Sequence, residues 1–336
     1  MHSVPVVRLR RVRIDSPGWT RRRAGKGFSY LDVDRVTRIT DAEHLDRIVA
    51  LAIPPAWQDV WISPWANGHI QAAGLDDAQR RQYLYHEQWR RRRDRLKHDH
   101  VLDVARRLPA ARRSVRRDLA LPGFPRAKAL ALAFRLLDLA YFRAGGEGYA
   151  QRNGSYGLAT LRREHVQVLA DDDGAETAVR FHYPAKSGQI RDVVVEDAQV
   201  AELVGTLLRR RGGGPELLAW RDDDGWHDIT SAEVGADVKH RLGDDASPKD
   251  FRTWHATVLA ARGLAASGPA PASERGRRRV VATVVKAVSH ELGNTPAVCR
   301  ASYIDPRVVD LWTHGTTIRP TRSQAVAEKE TLALLS

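Results

Sequence analysis

Cysteine is almost absent from this chain of 336 residues, and long apolar runs are absent too. Cys299 is the single cysteine, which excludes an intramolecular disulfide and a zinc site built from several cysteines. No run of about 18 or more apolar residues could span a bilayer. The N-terminal segment carries Arg8 and Arg10 where a secretory signal would have its apolar core. We therefore expect a cytoplasmic protein that folds without covalent crosslinks and has no membrane partner.

Acidic residues are scarce relative to basic ones. The 54 lysines and arginines outnumber the 41 aspartates and glutamates, which gives a formal charge of +13. A field of this sign attracts polyanions, of which nucleic acid is the commonest. The arginines also form local runs, which a uniform compositional bias would not produce, at residues 21–23, 90–93, 112–117 and 277–279. Each run is a candidate track for backbone phosphates.

The first 92 residues alternate short β-prone segments with turn residues. The pattern predicts strands over residues 28–32, 36–40, 60–64 and 69–74. Residues 41–52 predict a helix, because Asp41 can cap it and Leu45, Ile48 and Val49 supply an apolar stripe. This part of the chain therefore predicts a small α+β module.

Long helical patterns begin after Trp89, over residues 90–119 and 125–142. Three strands are predicted at residues 164–169, 178–183 and 190–195, with a tight turn at 186–188, and helices resume after Asp197. The predicted fold class is α+β with two domains. A small N-terminal module with a mixed β-sheet covers residues 1–92, and a larger, mainly α-helical domain with a short β-hairpin sheet covers residues 93–336.

Tyr303 is a candidate nucleophile. It stands three positions after Arg300 and nine after Asn294 in the segment Asn-Thr-Pro-Ala-Val-Cys-Arg-Ala-Ser-Tyr. A phenol is a poor nucleophile at neutral pH, so it needs cationic neighbours that stabilise both the phenolate and an anionic target. The basic composition of the chain can supply such neighbours.

Four further polar segments form an ordered set with this tyrosine. They are Tyr141-Phe142-Arg143, Ala185-Lys186-Ser187-Gly188, Lys249-Asp250-Phe251-Arg252-Thr253-Trp254 and Asn294-Thr295-Pro296. An arginine, a lysine in a β-turn, a second arginine and an amide thus precede the tyrosine. This order resembles the type IB DNA topoisomerases, in particular their compact bacterial and poxviral branch. The resemblance spans residues 20–320 and includes the segments 68–72, 83–86 and 153–161.

The resemblance implies an isomerase with a tyrosine recombinase/topoisomerase IB-like fold that relaxes supercoiled double-stranded DNA. Tyr303 would attack a phosphodiester, form a 3′-phosphotyrosyl link, allow strand rotation and then reseal the strand. The resemblance also implies that no metal is needed, and because this exchange keeps the bond energy nearly level, no ATP is required. The glycine runs 145–146 and 212–214 lack the Gly-Lys-Ser/Thr of a phosphate-binding loop. We expect a monomer without cofactors, associated with the nucleoid.

The resemblance also implies a role for each residue of the set. Arg143 and Arg252 would stabilise the extra negative charge of the pentacoordinate transition state, since a guanidinium donates bidentately and keeps its charge. Lys186 would act as the general acid that protonates the departing 5′ oxygen. Asn294 would donate its amide to a nonbridging oxygen, where many family members carry histidine. Water or the arginines would help to deprotonate Tyr303.

The resemblance further implies a C-shaped clamp, with the N-terminal module across the major groove and the helical domain on the opposite side. The candidate DNA contacts are Gln71, Tyr83, Tyr85, Tyr149, Asn153 and Tyr156. For Tyr83 and Tyr85 a structural role, as partly buried aromatic residues of an edge strand, fits the sequence equally well. Two positions depart from the family pattern: Ala185 replaces a glycine before the lysine, and Arg152 replaces an acidic residue.

Two other functions fit part of the evidence. Tyrosine recombinases use a closely related residue set, but they generally carry a His-x-x-Arg-like helix at the second arginine, where this chain has Lys249 before Arg252. A non-enzymatic DNA-binding protein would account for the charge but not for the ordered set. No metal site is predicted at residues 97–100, because their two histidines lie on different helix faces without a third ligand.

Overall fold

The computed structural model describes residues 8–146, 148, 150 and 153–336. The chain divides into two compact units, Met1–Lys97 and His98–Ser336. The division lies within helix α2 (Glu87–Leu119), which also contains the predicted boundary after residue 92. The first unit contains an antiparallel sheet and a short helix, whereas the second is mainly helical with two small sheets. These features confirm the predicted α+β fold class.

The first unit is built on a five-stranded sheet with the strand order β2-β1-β3-β4-β5, which is wholly antiparallel rather than mixed as predicted. The strands are β1 (Trp19–Ala24), β2 (Gly27–Leu31), β3 (Gln58–Ile62), β4 (Ile70–Leu75) and β5 (Arg81–Tyr85). Helix α1 (Ala42–Ala50) begins at the predicted cap, where the Asp41 carboxylate accepts the N–H of His44 at 2.9 Å. The small core contains Trp19, Ile39, Ile48, Val60, Ile62 and Ala72.

The prediction of a strand over residues 36–40 is wrong. This segment contains only an isolated bridge from Arg38 to Leu31. Asp34 closes a turn instead, because its Oδ1 accepts the backbone N–H groups of Val36 at 2.9 Å and Thr37 at 2.8 Å. A carboxylate that binds nearby backbone N–H groups favours a turn over a β-ladder. Strands β1 and β5 were not predicted, since the arginine run in β1 hides its β pattern.

The second unit is dominated by helices. Those described here are α3 (Arg126–Ala140), α4 (Ala198–Arg209), α5 (Ser231–Leu242), α6 (Pro248–Ala266), α7 (Glu274–Leu292), α8 (Pro296–Ser302), α9 (Pro306–Thr313) and α10 (Gln324–Leu335), together with the C-terminal part of α2. Helix α6 is buried around its whole circumference, where it packs against α3, α5, α7, α9 and α10. Side chains on α6 therefore reach several neighbouring helices at once.

Two small sheets complete the second unit. The predicted strands correspond to β6 (Val166–Ala170), β7 (Glu176–Pro184) and β8 (Ile190–Glu196), an antiparallel sheet in the order β6-β7-β8. The hairpin of β9 (Ala219–Asp222) and β10 (Gly225–Asp228) was not predicted, because its strands are short and carry acidic residues at their turn. Among the described residues, no helix is long and apolar enough to cross a bilayer.

Two of the arginine runs do not form a continuous basic surface, because some of their side chains point into the fold and stabilise it. Arg21 donates to the carbonyl oxygen of Pro54 at 3.1 Å, and its guanidinium lies 4.1 Å from the centroid of the Phe28 ring. Arg112 forms ion pairs with two carboxylates inside the second unit. A run of arginines in the sequence is therefore a poor guide to a phosphate track.

Candidate active site

Tyr303 lies at the C-terminal end of the short helix α8, directly after Ser302. Its backbone N–H donates to the carbonyl oxygen of Cys299 at 3.0 Å. Thr257 of α6 fixes the following turn, because its hydroxyl oxygen accepts the N–H of Asp305 at 3.1 Å and lies 3.3 Å from the carbonyl oxygen of Tyr303. A helix end and a buried threonine together hold the tyrosine backbone in place.

Arg252 is a buried cation that lies against the Tyr303 ring. Its guanidinium carbon lies 5.1 Å from the ring centroid, and the whole residue is only 3% exposed. The two terminal nitrogens donate to backbone carbonyl oxygens, Nη1 to Tyr141 and Nη2 to Leu292 at 2.8 Å. Burial, together with the nearby charge of Arg143, lowers the pKa of Arg252 to about 10. The group is still a cation at neutral pH, and it has no carboxylate partner among the described residues.

Arg143 and Asn294 form the second part of the cluster. Arg143 follows the C-terminal end of α3, and its Nη2 donates to Oδ1 of Asn294 at 2.6 Å. Asn294 stands between Gly293, the left-handed cap of α7, and Thr295, which caps α8. The Nδ2 atom of Asn294 is buried without a hydrogen-bond partner in the part of the chain that the structure describes. A buried amide donor without a partner is rare, and it suits an anionic ligand.

A close contact between two glycines determines the path of the chain after Arg143. A Cβ atom on Gly157 would lie 2.5 Å from Cα of Gly145 and 2.8 Å from the carbonyl oxygen of Arg143. The same carbonyl oxygen accepts the N–H of Leu158 at 2.8 Å. Gly145 also has a φ of +82°, in the left-handed region that glycine adopts without strain. Only glycine fits at these two positions without moving the Arg143 backbone.

Lys186 begins the short 3₁₀ turn between β7 and β8. Its side chain is exposed and makes no hydrogen bond or ion pair with the residues that the structure describes. Ala185, which departs from the family pattern, has an extended backbone (φ −103°, ψ 179°) that any residue adopts. Its N–H donates to the carbonyl oxygen of Gln189 at 2.7 Å, which closes the turn. Alanine at this position is therefore compatible with the turn.

Arg191 is a supporting residue that the sequence did not reveal. It projects from β8 and donates to the carbonyl oxygens of Ala140 at 3.4 Å, His290 at 3.2 Å and Glu291. Burial lowers the pKa of its guanidinium. These acceptors lie at the C-terminal ends of α3 and α7, the two helices that lead into Arg143 and Asn294. A single arginine within a β pattern gives no sequence signal for this role.

Two other potential nucleophiles in the second unit stay protonated. Cys299 is fully buried, and burial raises the pKa of its thiol to about 11. Tyr183 on β7 is 4% exposed, and burial raises the pKa of its phenol to about 12 although Arg191, Arg252 and Arg143 act against this rise. Neither group is a ready nucleophile at neutral pH.

The candidate DNA contacts of the first unit differ in accessibility. Tyr83 and Tyr85 lie on the edge strand β5, are 38% and 39% exposed, and have stacked rings with centroids 5.8 Å apart. Gln71 is only 5% exposed; its Nε2 donates to the carbonyl oxygens of Ala66 and Gly68, and its Oε1 accepts from Arg47. The hydrogen bonds of Gln71 are thus used within the unit, and we assign it a structural role.

The candidate contacts of the second unit lie near residue 156. Tyr156 is half-buried, and its ring centroid is 4.4 Å from that of His165. Its N–H donates to the carbonyl oxygen of Pro184 at 2.8 Å, close to the turn that carries Lys186. Asn153 is exposed. Tyr149 and Arg152 lie outside the described residues.

The histidines of residues 97–100 bind different partners. His98 is 4% exposed, with Nδ1 3.9 Å from an oxygen of Asp305. His100 lies 3.1 Å from Asp245 and 3.3 Å from Asp250. Within the described ranges, no group of three or more His, Cys, Asp or Glu residues has an arrangement that could hold a metal ion.

Comparisons with known proteins agree with this geometry. The family model of the bacterial DNA topoisomerase IB N-terminal domain matches residues 27–76. The model of the eukaryotic DNA topoisomerase I catalytic core matches residues 86–317, more than half of the chain, and the five candidate catalytic positions lie within that span. The DNA topoisomerase 1B of Acanthamoeba polyphaga mimivirus is 25% identical over 300 residues, which cover 88% of this chain and 87% of the viral protein. The chain therefore belongs to the type IB DNA topoisomerases, which sets the recombinase alternative aside.

Proposed function

We propose that this topoisomerase relaxes supercoiled DNA through a transient single-strand break in which Tyr303 carries the 3′ phosphate. The observation that supports this most directly is the ring of Tyr303 against the buried guanidinium of Arg252, 5.1 Å from centroid to carbon. Arg252 has no carboxylate partner among the described residues, so its charge is available to an anion. A scissile phosphate beside Tyr303 would supply that anion.

The proposed cleavage step is a substitution at phosphorus. The Tyr303 phenolic oxygen forms a bond to phosphorus, the bond from phosphorus to the 5′ oxygen breaks, and water takes the phenolic proton. Arg252, Arg143 and the Nδ2 atom of Asn294 donate to the nonbridging oxygens as negative charge accumulates in the transition state. Lys186 donates a proton to the departing 5′ oxygen, and the exposed turn lets its side chain reach the DNA.

Religation reverses this step. The 5′ hydroxyl attacks phosphorus, Lys186 takes up its proton, and Tyr303 leaves as a phenolate. Because one phosphoester replaces another, the energy of the broken bond is retained and no ATP is required. The arginines and the amide supply the charge stabilisation that a metal ion would otherwise give, so we propose metal-independent catalysis.

We propose that DNA is held by both units. The accessible tyrosines Tyr83 and Tyr85 offer ring faces and hydroxyl groups, and Asn153 and Tyr156 offer polar groups near the turn that carries Lys186. Tyr149 remains a candidate from the sequence. Since one chain contains the whole catalytic set, we propose that the enzyme acts as a monomer, on the DNA of the nucleoid.

Relaxation of negatively supercoiled plasmid in EDTA without ATP tests this function. The wild type should relax the plasmid, and Tyr303→Phe should not. Tyr183→Phe is the matched control, because it removes the hydroxyl of a tyrosine beside the same arginines. It should still form a covalent complex with DNA that sodium dodecyl sulfate traps.

Three results would contradict the proposal. Relaxation by Tyr303→Phe would remove Tyr303 from the chemistry. If Tyr183→Phe forms no covalent complex but Tyr303→Phe still does, Tyr183 is the nucleophile. A requirement for magnesium or ATP would contradict the cofactor-free mechanism.

A further inference from the structure

A cluster of buried ionic groups, here called the Arg112 cluster, joins four helices of the second unit. Arg112 of α2 forms a bidentate pair with Asp138 of α3, at 2.7 and 2.8 Å. It forms a second pair with Glu328 of α10, at 2.6 and 3.0 Å. His255 of α6 completes the cluster, with Nε2 2.9 Å from Oδ1 of Asp138. The side chains of both carboxylates and of the histidine are nearly inaccessible to solvent.

The cluster contacts the residues that hold Arg252. His255 lies one helical turn after Arg252 on α6. Its ring packs against the ring of Tyr141, with centroids 4.8 Å apart. The carbonyl oxygen of Tyr141 is one of the two acceptors for the Arg252 guanidinium. A shift of His255 would therefore have two effects on Arg252. It would move the part of α6 that carries Arg252, and it would move Tyr141, whose carbonyl oxygen accepts from the Arg252 guanidinium.

Helix α10 contributes two side chains to this arrangement. The Nε2 atom of Gln324 donates to Oε1 of Glu328 at 3.0 Å and lies 3.3 Å from Nδ1 of His255. Its Oε1 accepts from Arg262 at 3.1 Å, which fixes the orientation of the amide. The two hydrogens on Nε2 of Gln324 therefore face Oε1 of Glu328 and Nδ1 of His255. Gln324 and Glu328 thus determine how His255 lies between α3 and α6.

This helix lies outside both family-model matches, the second of which ends at residue 317. Family membership alone therefore assigns no role to α10 (Gln324–Leu335). Its buried face nevertheless includes a charge beside the apolar Ala327 and Leu335, because Glu328 is nearly buried and faces an arginine. Apolar residues would anchor a purely structural helix without the cost of desolvating charges.

We propose that Glu328 of α10 is a positioning residue for Arg252, and that the Arg112 cluster keeps Arg252 aligned with the scissile phosphate. The inference rests on the proposed function, since Arg252 acts on the phosphate only in that mechanism. Loss of the Glu328 charge frees one side of Arg112, and Asp138 and His255 then shift together. Cleavage should slow while DNA binding stays the same, because the side chains of Glu328, Asp138 and His255 are buried.

The test compares Glu328→Gln with Glu330→Gln on supercoiled plasmid. Glu330 lies on the same helix but pairs with Arg319, whose side chain is 84% exposed, so its variant controls for charge loss in α10. The readouts are the dissociation constant for DNA and the rate of covalent complex formation at saturating enzyme. We expect Glu328→Gln to lower this rate about tenfold with unchanged affinity, and Glu330→Gln to match the wild type.

A double-mutant comparison separates positioning from general loss of stability. If Glu328 acts through Arg252, Glu328→Gln should have little further effect on the rate in an Arg252→Lys background. An equal loss in both backgrounds, or a wild-type rate in Glu328→Gln, would overturn the proposal. Urea unfolding of each variant checks whether the folded fraction is the same under the conditions of the assay.

Two further variants keep the test decisive. Glu328→Asp retains the charge and should recover part of the rate lost in Glu328→Gln. If Glu328→Gln does not fold, Gln324→Ala removes the amide that binds His255 without exposing a buried charge, and it should slow cleavage at unchanged affinity. An unaltered rate in Gln324→Ala would then overturn the proposal. Absence of a complex in the wild type would instead contradict the proposed function.

Discussion

Arg112 of α2 and Arg252 of α6 lie in the same unit, yet they are held by opposite chemistry. Arg112 faces two carboxylates, and although burial alone would lower its pKa, hydrogen bonds to Asp138 and Glu328 raise it above the ordinary value. Arg252 donates to two neutral carbonyl oxygens, and burial and Arg143 lower its pKa to about 10. The first arginine has its counterions within the fold, whereas the second has none among the residues that the structure describes. A buried cation held by neutral acceptors is ready for an anionic ligand.

The largest expected effect comes from removing the arginine without a counterion. Arg252→Ala should slow covalent complex formation by about 100- to 1,000-fold, because one donor to the transition-state charge is lost. Its free energy of unfolding should fall less than that of Arg112→Met, since two carbonyl oxygens lose their donor but removal of a charge without a counterion also removes its desolvation cost. Single-turnover assays and urea unfolding measure the two quantities. A variant that unfolds easily but reacts normally would reverse the roles of the two arginines.

The arginine with counterions should show the opposite balance. Arg112→Met leaves the carboxylates of Asp138 and Glu328 buried without their cation, which should cost about 3 kcal/mol of unfolding free energy. Cleavage at saturating enzyme should fall far less than in Arg252→Ala, because Arg112 does not contact the phosphate. The urea midpoint and the single-turnover rate of the two variants, measured side by side, test the comparison. Normal stability in Arg112→Met would contradict it.

A smaller effect is expected at the amide that binds Arg143. Asn294→Ala removes the buried Nδ2 donor and should slow cleavage about tenfold. An amide does not titrate, so this position should contribute no inflection to the wild-type rate profile near pH 6.5. Asn294→His should introduce such an inflection. A wild-type inflection that disappears in Asn294→Ala would contradict the assigned role.

The last and smallest effect concerns how steeply stability depends on pH at Asp138. Burial alone would raise the pKa of Asp138, but hydrogen bonds from His255 and Arg112 outweigh it and hold the pKa well below its ordinary value. A carboxylate with a lowered pKa in the folded state stabilises the fold above its unfolded pKa of about 3.9, and the stability is lost as the pH falls further. Urea midpoints between about pH 6 and pH 3 should therefore fall less steeply in Asp138→Asn than in the wild type. Identical slopes would contradict this role.

The sequence identified the catalytic candidates because their order along the chain carries information. Tyr303, Arg252, Arg143 and Asn294 do lie together, and the cap Asp41 correctly predicted the start of α1. Whether each residue has its proposed role in catalysis still depends on the experiments above.

Long-range partners could not be predicted in the same way. Arg112 belongs to an arginine run that resembles a surface track, and only the folded chain brings Asp138 and Glu328 to it. Gln71 has the polarity of a DNA contact but is saturated by hydrogen bonds within its own unit. Thr257 and Arg191 hold backbone groups far away in sequence, and no local pattern indicates such contacts.

The most direct test of the account is to identify the amino acid that carries the DNA. The wild-type protein is mixed with end-labelled duplex DNA, the covalent complex is trapped with sodium dodecyl sulfate, and the labelled peptide is mapped by mass spectrometry. The account predicts a 3′ phosphate attached to Tyr303 and the same yield with EDTA as with magnesium. A 5′ linkage, or attachment to any other residue, would contradict it.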